Sequence, residues 1–241
     1  MNKIQVQPMS TFSPVIAYKT SIGKKILMAC TGLLFIGFVT GHLIGNLQIY
    51  MGQDQINTYA HALKGLGVAL WGIRIFLLCF FGFHIWFGIK LWWENKTSRP
   101  INYQVKTNIE STFSSRTMIY SAVLIFLFVV YHLLHFTFIS TNPEYATLTD
   151  SLGRFDVYSM MILGFKNYLI SGVYAIAVLF LAFHVSHGVF SLFQTLGLVT
   201  PRCQPWLQRL ANLYGFLIFL GYVAIPAGVL FNIVKLPGGI H

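Results

Sequence analysis

Four histidines, His42, His84, His132 and His184, each lie inside a different apolar stretch of the chain. An ionisable side chain within a membrane span is costly and marks a partner or a cofactor. One imidazole on each of four helices makes two pairs. A pair of opposed imidazoles inside a helical bundle is the donor set by which haem iron takes two axial ligands. No Cys-x-x-Cys-His segment occurs, which excludes covalent c-type attachment, and the three cysteines show no zinc spacing. Non-covalent binding of haem is therefore one chemistry open to these residues.

The elements that must position them follow from composition. The chain has 241 residues, 56% hydrophobic and only 9% charged, with a mean hydropathy of +0.67. A soluble domain carries roughly 25% charged residues, so this chain lacks the polar surface that water requires. A helix crossing the hydrocarbon core needs about 20 apolar residues, and five runs qualify: 25–49, 66–93, 117–140, 164–197 and 207–234. The expected fold is an all-α membrane protein, one domain over 1–241, built as a bundle of five transmembrane helices. The fourth run exceeds the need, which predicts tilt or projection beyond the bilayer. Pro226 predicts a kink in the fifth. The polar segment 141–165 is expected to be a loop with at most one surface helix. Cys30 and Cys79, within apolar runs, are expected as small core residues. The first twenty residues contain no apolar core of signal-peptide type.

The net charge of +10 does not point to nucleic acid, because the bases flank apolar runs instead of forming a stripe with stacking aromatics. They sort by side. With the N-terminus cytoplasmic, eleven bases fall on the inner side, among them Lys3, Lys24, Lys106 and Arg116, and four (Lys64, Arg154, Lys166 and Lys235) on the outer side. The positive-inside rule then predicts a cytoplasmic N-terminus, an outer C-terminus and a multi-pass protein of the cell's inner membrane.

Depth groups the histidines. His42 lies 17 residues beyond Lys25 and His132 lies 16 beyond Arg116, roughly 26 and 24 Å from the inner boundary at the helical rise. His84 lies 20 residues after Lys64 and His184 lies 18 after Lys166, roughly 30 and 27 Å from the outer boundary. Helices one and three therefore offer an outer pair, and helices two and four an inner pair. His135 and His187 each follow a neighbour by three residues and share its helix face, and depth alone does not choose between the members of each doublet. Gly37, Gly41 and Gly45 bracket His42, Gly88 follows His84 and Gly188 follows His184, a stripe that suits close helix packing or a flat ligand equally.

The segments GHLIGN (41–46), YAHAL (59–63), FHIWFG (83–88), YHLLHF (131–136) and FHVSHGVFSLFQTLGLVTP (183–201) run in one order across nearly the whole chain. In them the chain resembles the cytochrome b membrane anchor of succinate dehydrogenase and fumarate reductase, of the single-chain, five-helix, di-haem type. The resemblance implies that His42, His84, His132 and His184 are the axial ligands, preferring His132 over His135 and His184 over His187. It implies two haem b groups, menaquinone or another quinone as membrane substrate, and a flavoprotein subunit and an iron–sulfur subunit on the cytoplasmic face. The dicarboxylate chemistry of such an enzyme resides on those partners. Some fumarate reductases of this type carry a glutamate two residues before the fourth ligand for transmembrane proton movement. Here that position is Ala182, and the fourth run has no acidic residue, so that path is expected to be absent.

Within this frame Arg74, near the outer end of helix two, is expected to pair with a haem propionate, with Lys166, His135 and His187 as further residues of the haem surroundings. His61, Lys64, Asn46 and Gln48, at the outer ends of helices one and two, are the candidate quinone residues. His61 is the expected proton donor. Trp92, Trp93, Tyr103 and Arg116 are expected in an inner interfacial belt or docking surface. Two other readings start from the same histidines: a haem b membrane subunit of another respiratory oxidoreductase, and a haem-free transporter with a histidine proton relay. The cytochrome b of quinol-oxidising complexes fits less well, since it spaces two histidines on one helix by two turns or more.

Overall fold

The computed structural model describes residues 18–98 and 117–238. Lys3, Arg99, Tyr103, Lys106, Glu110 and Arg116 lie outside them. Among the described residues the protein is helical, with one isolated bridge, Thr149 to Phe155, and no strand. The helices are α1 (Ser21–Leu47), α2 (Gln53–Gly65), α3 (Val68–Thr97), α4 (Met118–His132), α5 (Val157–Phe165), α6 (Tyr168–Thr195) and α7 (Gln204–Leu230). Five are long and apolar enough to cross a membrane: α1 with its 3₁₀ extension to Met51, α3, α4 with a π-turn to Thr137, α6 and α7. Large apolar side chains such as Leu33, Ile75, Leu78, Leu127, Ile176 and Leu217 are exposed along them. Each would cost roughly 1.5–3 kcal/mol if left in water, so a lipid environment accounts for these faces.

Local chemistry sets the helix starts. The Thr20 hydroxyl accepts from the Gly23 N–H at 3.0 Å and opens α1. Asp156 accepts from the Ser159 N–H and opens α5. Asn167 accepts from the Leu169 and Ile170 N–H groups and opens α6. Each is a side-chain oxygen satisfying an orphan helix donor.

Three expectations are corrected. The fourth apolar run, expected as one span over 164–197, is broken at Lys166–Asn167, because the Asn167 cap starts a fresh helix at Tyr168; its excess length belongs to α5. That helix is not a surface helix. Tyr158, Met160, Met161, Ile162 and Phe165 are all buried, since an apolar nine-residue helix closes over the bundle end instead of lying on it. Cys30 and Cys79 are exposed, on helix faces turned outward, so they are not core residues. Pro226 is accommodated within α7, which runs on to Leu230.

Packing is uneven along the bundle. α6 and α7 form the most extensive pair, α3 lies along α1, and α4 lies along α6. A side chain at Gly215 would sit 2.6 Å from the Ala182 carbonyl oxygen, so the α6–α7 crossing requires glycine there. The largest buried cluster lies at one end, where Ile49, Ile56, Tyr158, Ile162, Phe165, Tyr174, Ile225 and Val229 meet. There α2, α5 and the 138–156 segment form a cap. Asn57, fully buried, donates to Asp150 at 3.1 Å and Asp156 at 2.9 Å and accepts from the Tyr158 N–H at 3.1 Å. Arg154 adds ion pairs to Asp54 at 2.8 Å and Asp150 at 2.7 Å. At the opposite end Lys24, itself buried, pairs with Glu94 and ties α1 to α3.

Candidate metal centres

Four helices bring four imidazoles together in two pairs. His42 of α1 lies against His132 of α4 with ring centroids 5.8 Å apart. His84 of α3 lies against His184 of α6 at 6.2 Å. Two imidazoles on opposite sides of one metal ion, each bonded through nitrogen at about 2 Å, hold their centroids about 6 Å apart. Direct ring packing spans a similar range, so the informative feature is what each ring nitrogen does.

The Nδ1 atom of His84 meets the Thr31 hydroxyl at 2.9 Å, and that of His184 meets the Ser121 hydroxyl at 3.4 Å. In the other pair, the Nδ1 of His132 reaches the Tyr174 hydroxyl at 3.4 Å. The His42 ring stacks on Phe38 at 5.5 Å and lies 6.3 Å from Tyr222. The rings are walled by apolar groups, with Phe35 edge-on to His84 at 5.6 Å and Phe128 5.9 Å from His132. A neutral imidazole engaged through Nδ1 presents Nε2 as its free ligand atom.

The pairs occupy two levels. Thr31, beside His84, lies eleven residues before His42 on α1, about 16 Å along the axis. Ser121, beside His184, lies the same eleven residues before His132 on α4. Two helices thus carry one spacing, with the His84–His184 pair toward the Lys24–Glu94 end and the His42–His132 pair toward the cap. Among the described residues no group of three or more His, Cys, Asp and Glu side chains is arranged to hold a metal. What the described residues bring together is two separate pairs of imidazoles.

The doublet partners are placed differently. His135 sits in the π-turn Leu133–Thr137, a distortion frequent at functional positions, and Ile139 just beyond it has a φ of 55°. The His135 ring is fully buried, its Nδ1 is 2.9 Å from the Tyr174 hydroxyl, and its Nε2 has no hydrogen-bond partner. It stacks on Phe136 at 4.0 Å and makes no ring contact with His42. His187 is half-buried and makes no ring contact with His84.

Arg74 is exposed, its guanidinium 5.0 Å over the Trp71 ring. Lys166 is exposed at the α5–α6 break. The four candidate quinone residues do not converge. Asn46 donates back to the His42 carbonyl at 2.7 Å, Gln48 accepts from Gln55 at 2.9 Å, and the Lys64 ammonium lies 3.8 Å over the Phe155 ring. Loss of solvation and the Arg74 charge both lower the Lys64 pKa. His61 is exposed on α2. Among the described residues no hydrogen bond or ring contact links these four. Trp92 and Trp93 are exposed at the Lys24–Glu94 end, with Lys96 5.0 Å over Trp92.

Thr31, Ser121 and Tyr174 were not anticipated from sequence. A hydroxyl in an apolar helix is ordinary by itself; the usable signal was the repeated eleven-residue interval to a histidine. Of the glycines around the histidines, Gly45 fits close packing, since a side chain there would meet the Tyr59 hydroxyl at 2.8 Å, whereas Gly37, Gly41 and Gly188 face open space.

Comparison with protein-family models, with curated proteins and with solved structures finds no match.

Proposed function

We propose that the chain is the membrane anchor and electron-transfer subunit of a succinate:quinone oxidoreductase, in the inner membrane of a cell, with two haem b groups. The observation that carries the reading is the pairing of four histidines from four helices at two levels, in segments that follow the order of that family's anchors. The donor set suits the group: each level offers two neutral imidazoles between apolar walls, and a haem b bound there would supply one-electron carriage. His84 and His184 would hold the haem at the inner level, and His42 and His132 the one at the outer level. Gly37 and Gly41, open beside His42, leave room for a flat ligand.

The chain's own residues do the rest. Thr31, Ser121 and Tyr174 orient imidazoles, Phe35, Phe38 and Phe128 exclude water around them, and the α2–α5 cap closes the outer end. The basic inner face and its exposed tryptophans form the docking side for a flavoprotein subunit and an iron–sulfur subunit, with the N-terminus cytoplasmic and the C-terminus outside. Quinone is assigned to the outer end. His61 is an exposed titratable group there, and Asn46, Gln48 and Lys64 are tied to other partners and would have to be released to reach it. Arg74 and Lys166 are the bases available to haem propionates on that side. The direction of electron flow follows quinone potential and the membrane field, worth about 2.3 kcal/mol per charge per 100 mV.

The test is isolation of the chain with whatever docks on it, followed by succinate–quinone and quinol–fumarate assays. The reading predicts co-isolation of a flavoprotein and an iron–sulfur protein and quinone-coupled dicarboxylate turnover. A haem-bearing chain whose partners lack dicarboxylate activity would point to another respiratory oxidoreductase. A chain without haem bands would point to a proton-relay transporter.

A further inference from the structure

We propose that Thr31 and Ser121 are positioning residues that fix the tautomer of the inner histidines and set the reduction potential of that level alone. The inference rests on the haem reading above. A hydroxyl has one proton to donate and two lone pairs to accept with. Thr31 commits its proton to the Met28 carbonyl at 3.0 Å, and Ser121 commits its proton to the Met118 carbonyl at 2.9 Å. In that arrangement each oxygen accepts from the imidazole beside it. The proton between Thr31 and His84 then sits on Nδ1 of His84, and the proton between Ser121 and His184 on Nδ1 of His184. Both rings are left with a bare Nε2 lone pair, the atom a metal takes.

The device is built in. Thr31 is 5% exposed and Ser121 1%, so water does not compete for the acceptor. Both hydroxyls are held from their own helix by the carbonyl three residues earlier. Eleven residues make about 20° more than three full turns, so on α1 and on α4 the hydroxyl faces the same way as the outer histidine beyond it. Each of these helices thus delivers an imidazole to the outer level and an orienting acceptor to the inner one.

The outer level is held by other groups: Tyr174 lies between His132 at 3.4 Å and His135 at 2.9 Å, and the His42 ring has no hydrogen-bond partner among the described residues. A hydrogen bond from the distal N–H makes an imidazole a more basic ligand, which favours the oxidised metal. Thr31 and Ser121 therefore hold the inner potential below the value it would have without them.

The experiment is a potentiometric titration of the isolated complex, followed by its visible haem bands, in wild type, Thr31→Val, Ser121→Ala and Thr31→Ser. The wave that disappears in His184→Ala identifies the inner level. The inference predicts that this wave moves to more positive potential in Thr31→Val and in Ser121→Ala, that the other wave stays, and that Thr31→Ser behaves as wild type. Loss of one haem in Thr31→Val with retention in Thr31→Ser supports the same role. Unmoved waves, movement of the outer wave alone, or an equal shift in Thr31→Ser and Thr31→Val would overturn it while the di-haem reading stands. A wild-type chain without haem would overturn both.

Discussion

Replacing Asn57 with alanine should open the cap formed by α2, α5 and the 138–156 segment. The side chain is fully buried and makes three hydrogen bonds, two to the carboxylates of Asp150 and Asp156 and one from the Tyr158 N–H. A hydrogen bond to a charged group contributes about 1.5–3 kcal/mol, and an orphaned buried N–H costs about 1–3 kcal/mol. Gln53 and Ser159 still hold Asp156, so the three losses do not add in full, and about 4 kcal/mol is the expected cost. At 1.4 kcal/mol per factor of ten this is roughly a thousandfold rise in the opening equilibrium of the cap. Hydrogen exchange of the purified protein, read by mass spectrometry over 53–65 and 157–165, measures it directly. The exposed Gln48–Gln55 pair is the control, and Gln55→Ala should leave protection within about twofold, as for a surface site. If Asn57→Ala keeps wild-type protection in both segments, the buried network does not hold the cap.

Gly215→Val should destabilise the protein by about 2 kcal/mol or more, visible as a lower melting temperature in detergent, because the added carbon meets the Ala182 backbone oxygen, which cannot turn aside. Gly188→Ala, with nothing within 4 Å of the new methyl, should leave the melting temperature unchanged or slightly raised. The cap should also be acid-sensitive in one window. Burial pushes the Asp150 carboxyl up, but hydrogen bonds from Arg154, Asn57 and the backbone outweigh it and bring its pKa down to about 2. A carboxylate held below its unfolded value of about 3.9 contributes stability that is present above that pH and is lost as pH falls toward the folded value. Asp156, also lowered, acts in the same direction. Exchange over 157–165 should therefore be flat from pH 7 to about 5, after correction for intrinsic rates, and rise between about 4 and 2. Asp150→Asn should remove much of that rise.

The five spans were legible because an apolar run of twenty residues has few alternatives, and the two-level grouping of the histidines was legible because the helical rise converts spacing into depth. The break at Asn167 was hidden by apolar residues on both sides, although an asparagine just before an apolar run is a start signal. α2 escaped notice because its buried face is only Ile56 and Asn57. Asn57 acquires its meaning from Asp150 and Asp156, some hundred residues away, and no local pattern reports that. Cys30 and Cys79 were misplaced because apolar surroundings in sequence mean burial in water but a lipid-facing surface in a membrane. Thr31 and Ser121 required knowing which imidazole each helix passes on its way to its own histidine.

Quantitative haemochrome analysis of purified single and double histidine variants tests the central claim most directly. The account predicts about two haem b per wild-type chain and about one in each of the His42, His84, His132 and His184 alanine variants. A double variant within a pair, His84 with His184, should still hold one haem. A double variant across pairs, His84 with His132, should hold none. A haem-free wild type, or a within-pair double variant that loses both haems while an across-pair one keeps a haem, would contradict the pairing on which the account stands.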